Sequence, residues 1–333
     1  MKKLRNFLSL VMVGFVMSIP IIGSANVDES GEQQTMAIYS TAGQNGYYKY
    51  DEKTDSYVYD FGLEYDYEPI DSMILPECAS EEDGYLGELD PQYVIGNDNR
   101  ELVSSPSGYL ASTCLIGARF KDDRVSHGTG WLINSRYLLT AAHVVYDKDS
   151  ATNTGFPKHV AVYVGASGGK FKQYLTGKVV FAGGDYVGVP DYDQGMHDDW
   201  AIVKLDNPVT VSVSYLGVHA VNSKSDMGGE YNTQGYPCDK NGCESNNPPK
   251  WDFHKMYKCK GEILDNYTRT LPMVTTTLDT YQGQSGSAVW KYRNGSAVGE
   301  AIVVAGRKYN GKTENYLILI NNWLYNCISE NCY

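Results

Sequence analysis

The sequence predicts an all-β protein with two antiparallel β-barrels and a short C-terminal helix. From Leu110 onward, short apolar or alternating runs are separated by turn residues, and roughly a dozen of these runs fall into two sets. The sequence has no repeat of fixed period and no heptad pattern. The last stretch, Asn321–Cys327, is compatible with a short helix. Two adjacent barrels leave a cleft between them, which is a common location for an active site.

The predicted strands follow one another along the chain in two sets. The first set comprises Tyr109–Phe120, Gly128–Ile133, Tyr137–Ala141, His159–Val164, Tyr174–Ala182 and Trp200–Leu205. The second set comprises Tyr231–Gly235, Met256–Leu264, Pro272–Leu278, Ser287–Lys291, Ala297–Val304 and Tyr316–Ile320. We expect the connection between the two barrels at about residues 207–217.

The beginning of the chain is typical of a secretory signal. Basic residues near Lys3 precede an apolar run from Phe7 to Ile22, and small residues follow at Gly23 and Ala25. This pattern predicts a signal peptide over residues 1–25 and a secreted protein without a membrane anchor after signal removal. The alternative, a membrane anchor, is disfavoured because the run is short and ends at a small-x-small site.

Charge is distributed unevenly along the chain. Residues 26–93 hold 17 acidic and 2 basic residues, whereas residues 94–333 hold 23 of each sign. The acidic segment has few aliphatic residues, so it cannot bury much of a core by itself. We interpret residues 26–93 as a propeptide; the alternative is an acidic tail that the mature protein retains. No basic stripe is present, so a nucleic-acid partner is not expected.

A serine between glycines follows the run that ends at Leu278. Ser285 lies in Gly283-Gln284-Ser285-Gly286-Ser287, where the backbone can turn tightly and expose a hydroxyl and nearby N–H groups. Ser287 stands where a Gly-x-Ser-x-Gly motif requires its last glycine, which disfavours the nucleophile elbow. Taken alone, the stretch is also compatible with an ordinary Gly/Ser turn.

Two further segments favour a catalytic serine. One carries His143 in Thr140-Ala141-Ala142-His143, and the other carries Asp199 in Asp199-Trp200-Ala201-Ile202. The order His, Asp, Ser along the chain is one of the known arrangements of the catalytic triad. Asp198 competes with Asp199 for the role of orienting carboxylate, and we interpret Asp198 as a solvated loop charge.

These motifs resemble those of secreted serine endopeptidases of the chymotrypsin fold, and most of all the bacterial glutamyl endopeptidase (V8-like) branch. The resemblance covers residues 94 to about 320. It rests on Val94-Ile95-Gly96-Asn97-Asp98-Asn99-Arg100 as a mature N-terminus, on the His143 and Asp199 segments, on Asp279-Thr280-Tyr281 leading into the Ser285 turn, and more weakly on Gly235-Tyr236-Pro237. It implies a zymogen with a peptidase domain over residues 94–333.

The resemblance also implies roles for single residues. Ser285 would be the nucleophile of an acyl-enzyme mechanism, His143 the general base and Asp199 its orienting partner, with the N–H groups of Gly283 and Ser285 forming the oxyanion hole. Substrate would contact a set of residues before and after the nucleophile: Asp279, Thr280, Val303, Val304 and Gly306. No metal and no cofactor are expected, and the partners would be protein or peptide substrates of a monomer.

The specificity for the residue before the cut (P1) stays open between Glu/Asp and Lys/Arg. Val303 stands where glutamyl endopeptidases carry a histidine that meets the substrate carboxylate, which weakens the Glu expectation. Asp279 stands six residues before Ser285, where trypsin-like enzymes hold the acid that selects Lys/Arg, but the glutamyl branch carries the same Asp-Thr-Tyr.

Seven cysteines make disulfides plausible in an exported chain. Cys327 could pair with Cys332, and Cys238 with either Cys243 or Cys259. A second class of function is a protease-fold binding protein, or a secreted virulence-type effector, that has lost catalysis. The intact His, Asp and Ser with their glycines favour the enzyme.

Overall fold

A computed structural model describes the chain over seven ranges: residues 46–60, 92–148, 155–188, 195–242, 254–264, 272–309 and 312–333. The predicted signal peptide and much of the predicted propeptide lie outside these residues, as does Cys243. Within the described ranges, no helix is both long enough and apolar enough to cross a bilayer.

Sixteen strands and four short α-helices follow one another in the described residues. The strands are β1 (Tyr47–Asp51), β2 (Ser56–Asp60), β3 (Glu101–Val103), β4 (Thr113–Arg119), β5 (Val125–Leu132), β6 (Tyr137–Thr140), β7 (His159–Val164), β8 (Gln173–Gly183), β9 (Ala201–Leu205), β10 (Gly217–Val218), β11 (Tyr231–Gly235), β12 (Met256–Gly261), β13 (Met273–Thr276), β14 (Ala288–Arg293), β15 (Ser296–Tyr309) and β16 (Lys312–Leu319). The helices are α1 (Ala142–Val145), α2 (Gly184–Gly188), α3 (Cys238–Asn241) and α4 (Asn322–Cys332).

The first sheet closes into a six-stranded barrel. Its strand order is β2-β1-β8-β7-β4-β5-β6-β9, and an additional β8–β9 pairing closes the six strands from β4 to β9. Within the barrel, β7 pairs only with Gln173–Gly177 of β8, so the later part of β8 keeps an edge that β7 does not cover. The hairpin of β1 and β2, which precedes residue 94, adds to this barrel through β8.

The second sheet is built from the later strands and from β3. Its order is β13-β16-β15-β14-β11-β12-β3, with β10 pairing to β15 in parallel. An isolated bridge between Ile263 and Thr276 joins the chain after β12 to β13. That bridge brings together the two ends of the six strands from β13 to β12 in this order, leaving β3 beyond them. Strand β3 extends the sheet with residues that follow the predicted mature N-terminus.

The predicted all-β class with a C-terminal helix is confirmed, and several boundaries differ. The run Tyr109–Phe120 begins as a 3-10 turn over Gly108–Ser112 before β4. Strand β15 continues to Tyr309 because it pairs with β16 along its length. The helix α4 extends to Cys332, five residues beyond the prediction, because Cys327, Ile328 and Cys332 bury one face against the barrel core.

Three clusters of buried side chains form the core of the described residues. One cluster of buried side chains joins the interior of the first barrel to α4 and to part of the second sheet, and a smaller cluster fills the second sheet. Trp131 and Trp200 are the largest fully buried side chains among the described residues. Trp200, directly after Asp199, contacts Trp323 of α4 edge-on at 5.4 Å between ring centroids. The core therefore supports the segment that carries Asp199.

Candidate active site

His143 and Asp199 form a closely bonded pair. The Nδ1 atom of His143 lies 2.6 Å from Oδ2 of Asp199, and the backbone N–H of His143 donates to Oδ1 at 2.8 Å. The carboxylate of Asp199 has no exposed surface, whereas a quarter of the His143 side chain is exposed. Two bonds from one residue to both oxygens fix the carboxylate against the imidazole, so the opposite ring nitrogen is the one left to face substrate.

The pairing of β6 and β9 explains why these residues meet. Thr140 of β6 lies opposite Ala201 of β9. The chain turns into α1 directly after β6, which places His143 there, and Asp199 directly precedes β9. Residues 56 positions apart are therefore brought to the same end of one strand pair.

Asp198 is not the solvated loop charge that the sequence suggested. Its Oδ1 accepts from the indole N–H of Trp200 at 2.5 Å, and its Oδ2 accepts from the backbone N–H of Asp185 at 3.0 Å. Burial raises the pKa of Asp198 to about 7, with Asp185 adding to the rise and His197 opposing it. Asp198 therefore stabilises the loop beside Asp199, with its two carboxylate oxygens bonded to Trp200 and Asp185.

The Ser285 turn depends on two glycines with positive φ. Gly283 has φ of 94° and Gly286 has φ of 85°, in the region that side chains rarely adopt. A Cβ atom on Gly286 would lie 2.1 Å from the carbonyl oxygen of Thr129 and 2.3 Å from Oγ1 of Thr140. The turn therefore fits directly against β5 and β6 of the first barrel. Ser285 itself is 7% exposed.

Thr129 of β5 holds the same turn by two hydrogen bonds. Its backbone N–H donates to the carbonyl of Ser285 at 2.8 Å, and its hydroxyl donates to the carbonyl of Gly283 at 2.8 Å. A Cβ atom on the preceding Gly128 would meet both Val144, next to His143, and the Ser285 carbonyl. The serine turn and the histidine helix are thus neighbours across the barrel contact.

The peptide groups around Ser285 are oriented by their carbonyl oxygens. The carbonyl of Gln282 accepts from the N–H of Cys238 at 2.7 Å, and that of Gln284 accepts from the N–H of Ser287 at 2.9 Å. In a trans peptide the C=O and N–H point in opposite directions. The N–H groups of Gly283 and Ser285, the two expected oxyanion donors, therefore point away from the carbonyl oxygens of Gln282 and Gln284.

Gln92, from the segment before the predicted mature N-terminus, contacts Ser285. Its side-chain amide N–H groups donate to Oγ of Ser285 at 2.7 Å and to the carbonyl of Val304 at 2.9 Å. The side chain is buried, with 1% of the residue exposed. Its Oε1 atom has no partner among the described residues. The sequence analysis did not single out Gln92, because no motif marks a residue that acts by being placed next to another.

Tyr93 is held by Asn315 on both sides of its backbone. The N–H of Tyr93 donates to Oδ1 of Asn315 at 2.7 Å, and Nδ2 of Asn315 donates back to the Tyr93 carbonyl at 2.6 Å. The N–H of Thr280 donates to the same carbonyl at 3.3 Å. The Tyr93–Val94 bond therefore lies against the strands of the second sheet. Asn315, buried in β16, is a second residue that the sequence analysis did not identify.

Asp279 binds the N-terminal segment of the peptidase region. Its two carboxylate oxygens accept from the N–H of Ile95 at 2.7 Å and from the N–H of Asn99 at 2.8 Å. The residue has no exposed surface. In the chain as described, both oxygens are thus engaged by backbone donors. Arg100, paired with Asp98 and Asp239, anchors the end of this segment to α3.

Of the other residues expected to meet substrate, Val304 is the one that contacts Gln92 directly. Val303 is buried and exchanges backbone hydrogen bonds with the serine turn, from the N–H of Gly286 at 2.7 Å and to the carbonyl of Ser287 at 3.0 Å. Val304 offers the carbonyl that Gln92 occupies. Gly306 lies opposite Asn315 in the β15–β16 pair. The Oγ1 atom of Thr280 is buried and has no partner among the described residues.

Two of the disulfide pairings considered from the sequence are not formed. Cys259, Cys327 and Cys332 carry free thiols, as does Cys114. A Cys327–Cys332 loop and a Cys238–Cys259 pair are therefore both wrong. These thiols are buried in the cores, where burial raises the pKa of Cys332 to about 12. No group of three or more described His, Cys, Asp or Glu residues is arranged to hold a metal ion.

Comparison with known protein families matches the family described as Trypsin over residues 114–327, more than half of the chain. The chain belongs to this family. The match confirms the expected enzyme class: this Trypsin-family chain is a serine endopeptidase of the chymotrypsin type.

Two curated relatives come from Bacillus. An extracellular metalloprotease of Bacillus subtilis (strain 168) is 28% identical over 245 residues, which cover 71% of this chain and 70% of that protein. A glutamyl endopeptidase of Bacillus licheniformis is 26% identical over 200 residues, covering 60% of this chain and 54% of that protein. The expected likeness to glutamyl endopeptidases is confirmed by the second relative.

Solved structures support the same fold. A Glu endopeptidase in complex with MPD superposes with a TM-score of 0.56 and 21% identity, covering 71% of this Trypsin-family chain and 98% of the solved chain. The protease Anisep from Arthrobacter nicotinovorans superposes with a TM-score of 0.52 and 14% identity, covering 69% and 98%. At these identities the likeness concerns the fold.

Proposed function

We propose that the protein is a secreted serine endopeptidase, made as a precursor, in which Ser285, His143 and Asp199 form the catalytic triad. The observation that carries this proposal is the 2.6 Å contact between the His143 imidazole and a fully buried Asp199 carboxylate. The serine turn, packed against the strand that precedes His143, supplies the third member. The extracellular relative from Bacillus subtilis supports secretion.

In the proposed reaction, Oγ of Ser285 attacks the carbonyl carbon of the scissile peptide bond while His143 accepts the hydroxyl proton. Asp199 keeps Nδ1 of His143 protonated and stabilises the imidazolium that forms. The N–H groups of Gly283 and Ser285 bind the oxyanion. His143 then donates the proton to the leaving amine, and a water molecule hydrolyses the acyl-enzyme by the reverse sequence of proton transfers.

The precursor part of the proposal is supported by Gln92 and Tyr93. In the uncut chain, the Gln92 amide occupies the space beside Ser285 and bonds its nucleophilic oxygen. A substrate must displace that side chain before it can reach the hydroxyl. A cut between Tyr93 and Val94 separates Gln92 from the segment that Asp279 anchors, so removal of the propeptide opens the site. Cys238, which is not among the free thiols, is proposed to pair with Cys243.

For the P1 residue we propose Glu or Asp in preference to Lys or Arg. Both oxygens of Asp279 already accept backbone hydrogen bonds, so an incoming cation would have to replace them. The Gln92 side chain, which has nearly the shape of glutamate, fits the space beside Ser285. The hydroxyl of Thr280, without a partner among the described residues, is a donor available to a carboxylate. The glutamyl endopeptidase relative supports the same preference.

The test is a cleavage profile of the processed protein. Wild type and Ser285→Ala are each incubated with a mixed peptide library, and the cut positions are identified by mass spectrometry. We expect cuts after Glu and Asp that disappear in Ser285→Ala. Ser296→Ala, an exposed serine at the start of β15, is the matched control and should retain every cut.

The possible results separate the parts of the proposal. Serine-dependent cuts after Lys or Arg would contradict the P1 assignment and leave the triad in place. A folded, processed protein without Ser285-dependent cuts would contradict the enzyme and favour a binding protein on a protease fold.

A further inference from the structure

The hairpin of β1 and β2 belongs to the part of the chain that processing would separate from the peptidase domain, yet it is built into the first barrel. Strand β1 pairs antiparallel with β8, with Tyr47 opposite Gly183, Tyr48 opposite Ala182 and Lys49 opposite Phe181. This is the geometry by which an extended segment adds a strand to a sheet, with main-chain hydrogen bonds supplying affinity.

Aromatic side chains of the hairpin pack on rings of the peptidase domain. Tyr47 is buried and meets Phe181 edge-on at 5.4 Å between ring centroids, and it also contacts Trp323 of α4 at 6.1 Å. Tyr57 stacks on Phe156 at 3.6 Å, and its hydroxyl donates to the carbonyl of Val179 at 3.0 Å. Buried aromatic pairs of this kind supply much of the energy of stable interfaces.

Charges across the contact are complementary. Lys178 of β8 donates to the hydroxyl of Tyr50 at 3.1 Å and lies 3.9 Å from the carboxylate of Asp55. Lys204 of β9 lies 3.5 Å from the carboxylate of Glu52. These exposed pairs add little affinity individually, but they fix the orientation of an acidic hairpin on this basic face.

The two backbones approach so closely that glycine is needed on the peptidase side. The N–H of Gly184 donates to the carbonyl of Gly46 at 3.0 Å. A Cβ atom on Gly184 would lie 2.5 Å from the Tyr59 ring and 2.6 Å from the Gly46 carbonyl, so its nearest contacts all belong to the hairpin segment. A side chain at position 184 would therefore disturb the hairpin contact first.

We propose that residues 46–60 remain bound to the peptidase domain as a separate, non-covalently held chain after the segment between Asp60 and Val94 is cut. The docking surface is the outer edge of β8 with Phe156, Phe181 and Trp323, and its occupant is the tyrosine-rich hairpin of this chain. The inference rests on the proposed function only in requiring a cut. Each contact described above joins a residue of the hairpin, before residue 61, to a residue after residue 155. A cut between residues 61 and 93 therefore removes none of these contacts.

The experiment uses the full chain with Ser285→Ala, which prevents self-digestion. A recognition sequence for an added site-specific protease replaces residues between 61 and 91, the chain is cut there, and the products pass through size exclusion at micromolar concentration before native mass spectrometry. We expect one species whose mass is the sum of both fragments. Separation of the N-terminal fragment from a folded peptidase domain would overturn the proposal.

Variants on each side of the contact identify the surface. Gly184→Ala on the peptidase domain and Tyr57→Ala on the hairpin should each weaken retention of the fragment by roughly tenfold or more. Two matched controls should retain it. Gly117→Ala introduces a Cβ with no atom within 4 Å, and Val58→Ala truncates an exposed side chain of the same strand as Tyr57. Equal loss in controls and variants would contradict the assigned surface.

This result is independent of the peptidase assignment. Because the binding experiment uses the Ser285→Ala chain, retention of the hairpin is measured without catalysis. If wild type cuts no peptide but the fragments stay together, the proposed activity fails and the docking surface stands. If wild type cuts peptides but the fragments separate, the reverse holds.

Discussion

The two halves of the candidate active site differ in what they need from the rest of the chain. The His143–Asp199 pair is formed by neighbouring strands of one barrel and has both carboxylate oxygens satisfied within it. The Ser285 turn follows β13, takes hydrogen bonds from Thr129 of the first barrel, and is covered by Gln92 of the proposed propeptide. In the uncut chain the His143–Asp199 pair is already formed. The Ser285 turn is also formed, but the Gln92 side chain covers its hydroxyl. Activation should therefore concern access to Ser285.

The largest effect on activity should follow from a change in the His143–Asp199 pair. In the processed protein, Asp199→Asn should lower kcat by about a thousand- to ten-thousandfold, because an amide favours the wrong histidine tautomer. The measurement is kcat on a peptide substrate identified from the library, with the melting temperature as a check on folding.

Asp123→Asn is the control for this change. Asp123 is exposed and pairs with Arg119 and Lys158 on the surface, so kcat should not move. If Asp199→Asn retained kcat within about tenfold of wild type while staying folded, the pair would not have the role proposed for it.

A smaller effect should follow from removing the Gln92 side chain that covers Ser285. In the uncut chain, Gln92→Ala should increase the rate at which a fluorophosphonate labels Ser285 by roughly tenfold or more, because two hydrogen bonds and the covering side chain are lost. Gln92→Met, which keeps the bulk and removes the hydrogen bonds, should fall between Gln92→Ala and wild type.

After residues 61–93, which include position 92, have been excised and separated from the protein, these variants and wild type are the same protein and should label at one rate. That equality is the internal control for the measurement. Equal labelling rates in the uncut chains would show that Gln92 does not restrict access to Ser285, and would remove the contrast between the two halves.

The smallest effect concerns Asp198, the neighbour of Asp199, and the pH dependence of the unfolding free energy. The folded pKa of Asp198, about 7, lies above its ordinary value of 3.8. Between about pH 4 and pH 7 the folded chain keeps a proton that the unfolded chain releases, so this group makes stability fall as pH rises. Asp198→Asn should flatten that fall, as measured by urea unfolding across the window.

Asp123 has the opposite effect on how the free energy of unfolding changes with pH, so Asp123→Asn serves as a comparison. Lys158 and Arg119 lower the pKa of Asp123, so its contribution to stability is present above the unfolded pKa and is lost as pH falls. An Asp198→Asn chain whose unfolding free energy follows wild type at each pH would contradict the buried assignment for this carboxylate.

Local motifs were enough to select Ser285, His143 and Asp199 as candidates, because each lies within a short segment whose residue types carry the chemistry, and the structure brings His143 and Asp199 into contact. The burial of Asp198 was not predictable in that way. Its partners are the Trp200 indole and the backbone of Asp185, and their orientation depends on how the loop packs.

The hairpin shows a second limit of the sequence. Its acidic, tyrosine-rich composition predicts that it cannot form a core alone, but not that Tyr57 stacks on Phe156, about a hundred residues away, or that Tyr47 joins the barrel core. The first barrel and the second sheet were predictable because strand periodicity is local, whereas the added strand depends on an edge of β8 that exists only after folding.

The contact of Gly286 with Thr129 and Thr140 has a consequence for the timing of activity during synthesis. The turn that carries Ser285 is held by Thr129 and Thr140 of the first barrel, so a second sheet that has folded alone lacks these contacts. Under the proposed function, a half-folded chain should therefore have an inactive serine. We expect newly made chains to gain activity only when both parts have folded.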